Sequence, residues 1–180
     1  MRAITGKYKG RHFDVPSNFK ARPTTDFAKE NLFNVLRSRV DFEGLRVLDL
    51  FAGTGSISLE FLSRGAARVV SVEKDPRHYA FIHDMMHSLG DAAACPLRAD
   101  ALGYIRRCAE VFDVVFADPP YALCELGELP DRVMGSRLLH PGGLFVLEHG
   151  RDHDFSSRPD FVEHRVYGSV NFSLFSVPET

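Results

Sequence analysis

The sequence predicts one α/β domain built on a doubly wound, mostly parallel sheet. Apolar runs of strand length alternate with amphipathic helical patterns along most of its 180 residues. The segment 47–56, VLDLFAGTGS, is the most informative of these units, because an apolar run ends there in a glycine-rich turn and a helical pattern follows. This pattern is typical of a buried parallel strand that enters a helix through a ligand-binding turn.

Composition excludes several classes of protein. Hydrophobic residues make up 44% of the chain and include 15 phenylalanines, enough for a full core, and the net charge of -2 gives no global sign of nucleic-acid or membrane affinity. The three cysteines show no CxxC spacing, so we predict neither a disulfide framework nor a zinc site. Without an apolar run of membrane-spanning length or a signal-peptide pattern, we expect a soluble, cytoplasmic protein with no membrane partner, and a monomer.

The N-terminal 24 residues are predicted to form a basic arm on a domain that spans 25–180. Two short strand-like runs within 2–15 predict a β-hairpin or a bent ribbon, and 16–24 reads as a loop. One acid, Asp14, stands there against six cations, which are Arg2, Lys7, Lys9, Arg11, Lys20 and Arg22. Charge alone leaves two interpretations open, a solvated edge hairpin and an arm that contacts phosphate groups.

The elements of the domain follow in alternation. A first helix is predicted from a cap at Thr24 or Thr25 to about Arg39. The predicted parallel strands are 45–51, 68–73, 94–98, 112–117 and 144–148. The intervening helical segments are one from Ser56 to near Gly65, then 76–89, 102–109 and an interrupted region around Pro130. Two final runs, 161–167 and 170–177, predict an antiparallel hairpin and bring the sheet to seven strands.

Four acidic residues lie in or just beyond the carboxyl ends of predicted strands. They are Asp49, Glu73, Asp100 and Asp118. Ligands of doubly wound sheets bind at this edge, so these side chains are expected to surround the glycine turn. Carboxylates repel the pyrophosphate of a dinucleotide, whereas S-adenosylmethionine has no phosphate and carries a sulfonium and an ammonium group. The acidic edge therefore favours S-adenosylmethionine over a nicotinamide cofactor.

The motif Asp118-Pro119-Pro120-Tyr121 at the end of the fourth strand is the sharper signal. Two prolines fix the backbone and leave a carbonyl group beside the carboxylate of Asp118. Two neighbouring acceptors suit an exocyclic amino group, which has two N–H donors. Tyr121 can stack on the flat face of an extruded base. The combination predicts methylation of a base amine.

Three stretches together resemble the RsmD family, bacterial class I methyltransferases of guanine N2 in small-subunit ribosomal RNA. They are MRAITGKYKGRHFDVP with RPTTDFAKENLFNVL, the series DLFAGTGS, VEKD and ADPPY, and YGSVNFSLF near the C-terminus. The resemblance covers nearly the whole chain. The family motif usually reads RPTTDRVRE, and this chain has Phe27 and Lys29 at its two later arginine positions.

The resemblance implies a cofactor, a substrate and a role for each matching residue. S-adenosylmethionine would be the methyl donor, and the N2 of a guanine in 16S rRNA (family position 966) would attack its methyl group in line, in the free RNA or the assembling small subunit. Catalytic roles fall to Asp118, Pro119, Pro120 and Tyr121. Cofactor contacts fall to Asp49, Phe51, Ala52, Gly53, Gly55, Glu73, Lys74, Asp100, Ala101 and Asp118. We assign RNA contacts to Arg2, Lys7, Lys9, Arg11, Arg22 and Thr24.

Other functions remain as alternatives. The same DPPY motif serves adenine-N6 methyltransferases of DNA, although 180 residues leave little room for their target-recognition region. A non-catalytic RNA-binding assembly factor would also retain the cofactor turn. His83 and His87 have the spacing of a zinc helix, but without a third ligand nearby we favour a solvated helix face and predict no metal.

Overall fold

A seven-stranded sheet with helices on both faces forms the centre of the computed structural model, which describes residues 1–179. The strands are β1 (Arg46–Leu50), β2 (Arg68–Glu73), β3 (Ala94–Arg98), β4 (Phe112–Ala117), β5 (Leu139–His149), β6 (Phe161–Tyr167) and β7 (Val170–Ser176). The helices are α1 (Asp26–Arg37), α2 (Ser56–Ser63), α3 (Pro76–Leu89), α4 (Ala101–Arg107) and α5 (Leu129–Met134). The sheet order β3-β2-β1-β4-β5-β7-β6 confirms the predicted doubly wound, mostly parallel class.

The strand order reverses at β1, which pairs in parallel with β2 on one side and with β4 on the other. A crevice opens at such a reversal because the connecting helices leave in opposite directions. Asp49 of β1 lies level with Phe116 of β4, two residues before Asp118. The topology therefore brings the glycine turn and the DPPY motif to the same crevice.

Both faces of the parallel strands are buried. Val47 packs with α1, α2 and α3, whereas the next residue, Leu48, packs on the other face with α4 and α5. Strands that are covered on both faces have continuous apolar sequences instead of alternating ones. This explains why the parallel strands were visible in the sequence.

The antiparallel end of the sheet is formed by the predicted C-terminal hairpin. Strand β7 inserts between β5 and β6. Gly168, with a φ of 64°, turns the chain from β6 into β7. Strand β5 is longer than predicted, because it already begins at Leu139 and continues through Gly142 and Gly143. Its pairing with β4 shifts register between Phe112 and Val114, so this irregular first half carried no clear strand pattern.

The N-terminal segment is a bent ribbon, not the regular β-hairpin named as the first of the two predicted forms. Only two isolated bridges join it within residues 1–15, one between Arg2 and His12 and one between Ala3 and Lys9. The ribbon is held by α2, since the amides of Ile4 and Thr5 donate to the Glu60 carboxylate at 2.8 and 3.1 Å. It is therefore packed against the domain instead of extending from it.

A buried lysine completes this attachment. Lys29 of α1 is 1% exposed, and its Nζ donates to the backbone oxygen of Arg2 at 2.7 Å and to Ser56 Oγ at 3.1 Å. The carboxylate of Glu60 lies 3.7 Å away. Burial lowers the pKa of Lys29, while Glu60 opposes that shift. Lys29 thus joins α1, α2 and the ribbon, so the lysine at this family arginine position has a structural role within the chain.

No helix among the described residues combines the length and the apolar character needed to cross a membrane.

Two glycines of the ribbon provide a matched test of its docking. Both have positive φ, but a β-carbon on Gly6 would lie 1.9 Å from Ser63 O, whereas one on Gly10 meets nothing within 4 Å. Gly10→Ala should cost only the left-handed backbone penalty of about 1–2 kcal/mol. Gly6→Ala should destabilise the protein clearly more, as measured by urea unfolding, and should speed hydrogen exchange in residues 2–13. Equal losses for the two variants would contradict close docking of the ribbon on α2.

Candidate active site

The glycine turn after β1 is shaped by an unusual backbone. Phe51 is the one non-glycine residue with positive φ among those described, at 58°, and Gly53 and Gly55 follow with 60° and 77°. The Ala52 amide donates to Val72 O at 2.9 Å, which ties the turn to the end of β2. Gly55 then forms the N-cap of α2 without a side-chain cap. The backbone of the turn can therefore closely approach a ligand bound at the carboxyl ends of the strands.

Glu73 at the end of β2 is oriented by two backbone amides. Gly53 N donates to its Oε2 at 2.8 Å, and Asp75 N donates to its Oε1 at 2.9 Å. Each carboxylate oxygen keeps further acceptor capacity, which suits the paired hydroxyls of a ribose. Lys74, the next residue, is exposed.

Asp49 is a buried acid beneath the turn. It is 1% exposed and accepts a hydrogen bond from Ser58 Oγ at 2.5 Å, while Ser58 in turn contacts Ser71 Oγ at 2.6 Å. Burial raises the pKa of Asp49 to about 7 against the effect of Ser58, and the charges of Asp118 and Glu73 add to the rise. A cation bound above the turn would favour the ionised form.

The DPPY motif begins at the adjacent strand end. The Asp118 amide lies 3.5 Å from Leu50 O of β1, and burial raises the pKa of the Asp118 carboxyl to about 7. Pro119 is buried, whereas Tyr121 is 66% exposed. The Leu123 amide donates to Pro120 O at 2.9 Å and closes the turn. A partly buried acid thus lies beside an exposed aromatic ring, the arrangement expected for a flat ligand that carries an amine.

Asp100 and Ala101 lie at the start of α4, beyond the end of β3. Asp100 caps this helix, because its Oδ2 accepts from Gly103 N at 2.9 Å. Ala101 is buried against the sheet. One carboxylate oxygen of Asp100 thus has a structural task, and the other is left for a ligand.

The charges of this edge indicate which kind of ligand fits. Among the described residues, no Lys or Arg forms an ion pair with Asp49, Glu73, Asp100 or Asp118. Two of these acids, Asp49 and Asp118, are also desolvated. A cationic ligand without phosphate relieves this arrangement, whereas a pyrophosphate would worsen it. The donor set therefore fits S-adenosylmethionine.

Sequence reasoning missed one acid at this edge, Glu148. It is the second-last residue of β5, 7% exposed, and its Oε2 has no hydrogen-bond partner within residues 1–179. Burial raises its pKa to about 8, and the charge of Asp118 contributes. The signal was available, since Glu148 directly follows the apolar run 144–147 just as the other acids follow their strands.

The residues assigned to RNA contact do not form one surface around the crevice. Lys7 pairs with Asp91 at 2.8 Å, and Arg11 donates to Ser88 O at 3.1 Å. Ser88 lies in the last turn of α3 and Asp91 between α3 and β3, so this part of the ribbon lies at the opposite edge of the sheet. Lys9 is exposed on the same turn of the ribbon.

The other three assigned residues lie nearer the crevice. Arg2 pairs with Asp26 of α1 at 2.8 Å, and Thr24 precedes the helix cap Thr25. Arg22 is exposed and adjoins Ala21, whose Cβ would lie 3.3 Å from a β-carbon on Gly53. The loop 16–24 therefore passes directly over the glycine turn.

Comparison with known proteins agrees with this geometry. The family model described as Conserved hypothetical protein 95 matches residues 1–176. Ribosomal RNA small subunit methyltransferase D of Escherichia coli K12 is 33% identical over 178 residues, which cover 97% of this chain and 89% of that protein. This chain belongs to the RsmD family.

Solved structures extend the likeness to the fold of RsmD-family members and beyond. The E. coli protein yhhF matches with a TM-score of 0.86 at 26% identity, covering 100% of this chain and 99% of that one. The 16S rRNA N2 G1207 methyltransferase RsmC of Thermus thermophilus, in complex with AdoMet and guanosine, matches with a TM-score of 0.68 at 22% identity. That match covers 88% of this chain and 45% of RsmC. Membership in the RsmD family confirms the methyltransferase class that the motifs predicted.

The buried Asp49 predicts a pH-dependent contribution to stability. An acid whose pKa is raised on folding holds its proton in the folded protein where the unfolded chain has lost it, so it destabilises the fold as pH rises from about 4 to 7. Asp49→Asn removes this effect. Its stability relative to wild type should rise over that window by up to ~1.4 kcal/mol per pH unit, as measured by urea unfolding at pH 5 and 8.

The exposed Asp84 on α3 supplies the control for that measurement. Asp84→Asn removes an exposed carboxyl, so its effect on stability should differ between pH 5 and 8 by much less than that of Asp49→Asn. A pH-independent difference for Asp49→Asn would mean that Asp49 is ionised in the folded protein throughout.

Proposed function

We propose that this protein transfers a methyl group from S-adenosylmethionine to the exocyclic N2 of a guanine in 16S rRNA, either in the free RNA or in the assembling small subunit. The observation that carries the proposal is the partly buried Asp118, whose pKa is raised, beside the exposed ring of Tyr121, next to the glycine turn. The name of the E. coli relative supports a small-subunit RNA substrate, and the guanosine in the RsmC complex supports the base.

The cofactor would be held by the residues around the glycine turn. Glu73, fixed by the amides of Gly53 and Asp75, offers its oxygens to the ribose hydroxyls. Asp49 supplies negative potential beneath the cationic part of the cofactor, and Ala101 offers an apolar surface for the adenine. When bound, S-adenosylmethionine supplies a methyl group made electrophilic by its sulfonium centre.

The target base would be held by the DPPY motif. Asp118 and the carbonyl group of Pro119 accept hydrogen bonds from the amine, and the exposed ring of Tyr121 stacks on the base. These contacts point the nitrogen lone pair at the methyl group and favour the tetrahedral nitrogen of the transition state. After transfer the nitrogen is acidic, and Asp118 can accept the proton that it loses.

The direct test is methyl transfer to small subunits that lack the modification, followed by mapping of the product nucleoside and its position. We expect N2-methylguanosine at one site. Asp118→Ala should lower the single-turnover rate, with cofactor and RNA saturating, by about 10²–10³-fold, the range typical for loss of one electrostatic stabiliser. Methylation of adenine alone or of DNA alone would refute the proposal.

The role of residues 1–24 in RNA contact has its own test in the salt dependence of binding. Lys9 and Arg22 are exposed, and neither forms an ion pair within the described residues. If each contacts one phosphate, Lys9→Ala and Arg22→Ala should each reduce the slope of log affinity against log salt by about one. The exposed Arg137, which follows α5 before β5, is the matched control, and Arg137→Ala should leave the slope unchanged. Unchanged slopes in all three variants would remove the N-terminal segment from the RNA interface.

A further inference from the structure

Glu148 lies beside Asp118 at the edge of the sheet. Strands β4 and β5 are parallel, and Ala117 is level with Leu147, so the next residue on each strand is Asp118 and Glu148. Side chains at level positions of adjacent strands point to the same face, with backbones about 4.8 Å apart. Phe116 and Val146, two residues earlier, both pack on the face that α1, α2 and α3 cover. The two carboxyl groups therefore project side by side from that face.

The surroundings of Glu148 leave one of its oxygens free for a ligand. The side chain is 93% buried, yet Oε2 makes no hydrogen bond within residues 1–179. A buried polar atom without a partner costs on the order of 1–3 kcal/mol, so such atoms are rare unless something binds them. Its level neighbour on the other side is Phe172 of β7, which offers no polar group.

Tyr121 connects this oxygen to the place of the target base. The Tyr121 ring approaches β5, since its Cδ1 lies 3.8 Å from a β-carbon built on Gly150. Two ionisable groups thus face Glu148, the carboxyl group of Asp118 and the hydroxyl group of Tyr121. Burial and the charges of Glu148 and Asp118 raise the pKa of Tyr121. In the described part of the chain, no cation affects the titration of Glu148. A base stacked on Tyr121 has Asp118 and Glu148 along one edge.

Guanine matches this pair of acceptors. Its Watson–Crick edge presents two kinds of donor next to each other, the N2 amine and N1–H. Adenine and 2,6-diaminopurine have an unprotonated N1, which is an acceptor. A site that presents one acceptor to each of these two positions can therefore bind guanine. With adenine or 2,6-diaminopurine, the acceptor opposite N1 would face another acceptor.

We propose that Glu148 is a specificity-determining residue, whose Oε2 accepts the hydrogen bond from N1–H of the target guanine while Asp118 accepts from N2. This inference rests on the proposed guanine-N2 activity and adds a residue to it. It makes selection for guanine a property of the β4–β5 pair, separate from the RNA contacts that bring the base to the crevice.

The test compares two bases that share the reacting amine. Small subunits are reconstituted with RNA that carries either guanine or 2,6-diaminopurine at the methylated position. Single-turnover rates are measured at pH 8.5, above the Glu148 pKa of about 8, where most of the carboxyl is ionised and acts as an acceptor. Wild type should prefer guanine by about 10- to 100-fold, which is about 1.4–2.7 kcal/mol and lies within the range for a lost base contact. Glu148→Gln offers an amide donor to N1 of diaminopurine, so it should lose most of that preference.

Controls separate the possible failures. Glu110→Gln changes a glutamate that pairs with Arg46 and Arg68 before β4, and it should keep the wild-type preference. Binding of S-adenosylhomocysteine verifies that Glu148→Gln is folded. Should that variant not fold, the wild-type comparison alone decides, since equal rates on the two bases overturn the inference. An unchanged preference in folded Glu148→Gln also overturns it, whereas no methylation of guanine by wild type would refute the proposed function itself.

Discussion

The functional edge of the sheet depends on desolvated carboxyl groups that have no cationic partner among the described residues. Asp49, Asp118 and Glu148 end three neighbouring strands, and burial raises the pKa of each. Parallel strands force this proximity, because their carboxyl ends meet at one edge. The fold compensates only in part, through the Ser58 hydroxyl on Asp49. What remains is a group of carboxyls whose ionisation a bound cation would favour, which suits a cationic ligand and an amine.

On the same face of the sheet, another buried carboxylate is compensated by partners within the chain. Glu60 is fully buried but accepts from two ribbon amides and from Arg64, with Lys29 close by. Breaking such a network leaves an uncompensated charge, so its members are constrained together. It serves to attach the N-terminal ribbon and offers no group to a ligand. Burial of a charged residue therefore marks the functional site only where partners within the chain are missing.

Much of the architecture could be predicted because local patterns agree with the tertiary structure. Strands β2, β3, β4 and β6 and helix α3 have the predicted bounds, since apolar runs, Asp75, Pro76 and Gly90 mark them locally. The early start of β5 escaped prediction, and the choice between a β-hairpin and a bent ribbon at the N-terminus stayed open, because both depend on distant residues, Val177 and Glu60 among them. The burial of Lys29 could not be predicted either, because it is created by contacts between the ribbon, α1 and α2. Glu148 could have been found by applying the strand-end argument to every strand.

The backbone conformation of the glycine turn helps to distinguish a ligand-binding turn from a simple connection between β1 and α2. A turn that only joined β1 to α2 could place glycine at every left-handed position at no steric cost. This chain instead holds Phe51 at a φ of 58°, which costs about 1–2 kcal/mol, directly after the strand that buries Asp49. The left-handed backbone of Phe51 and the burial of the Asp49 carboxyl are both unfavourable, and they fall on consecutive parts of one short segment. Selection for stability alone would disfavour them, and the proposed cofactor contacts of the Phe51 ring and the Asp49 carboxylate offer a reason for their retention.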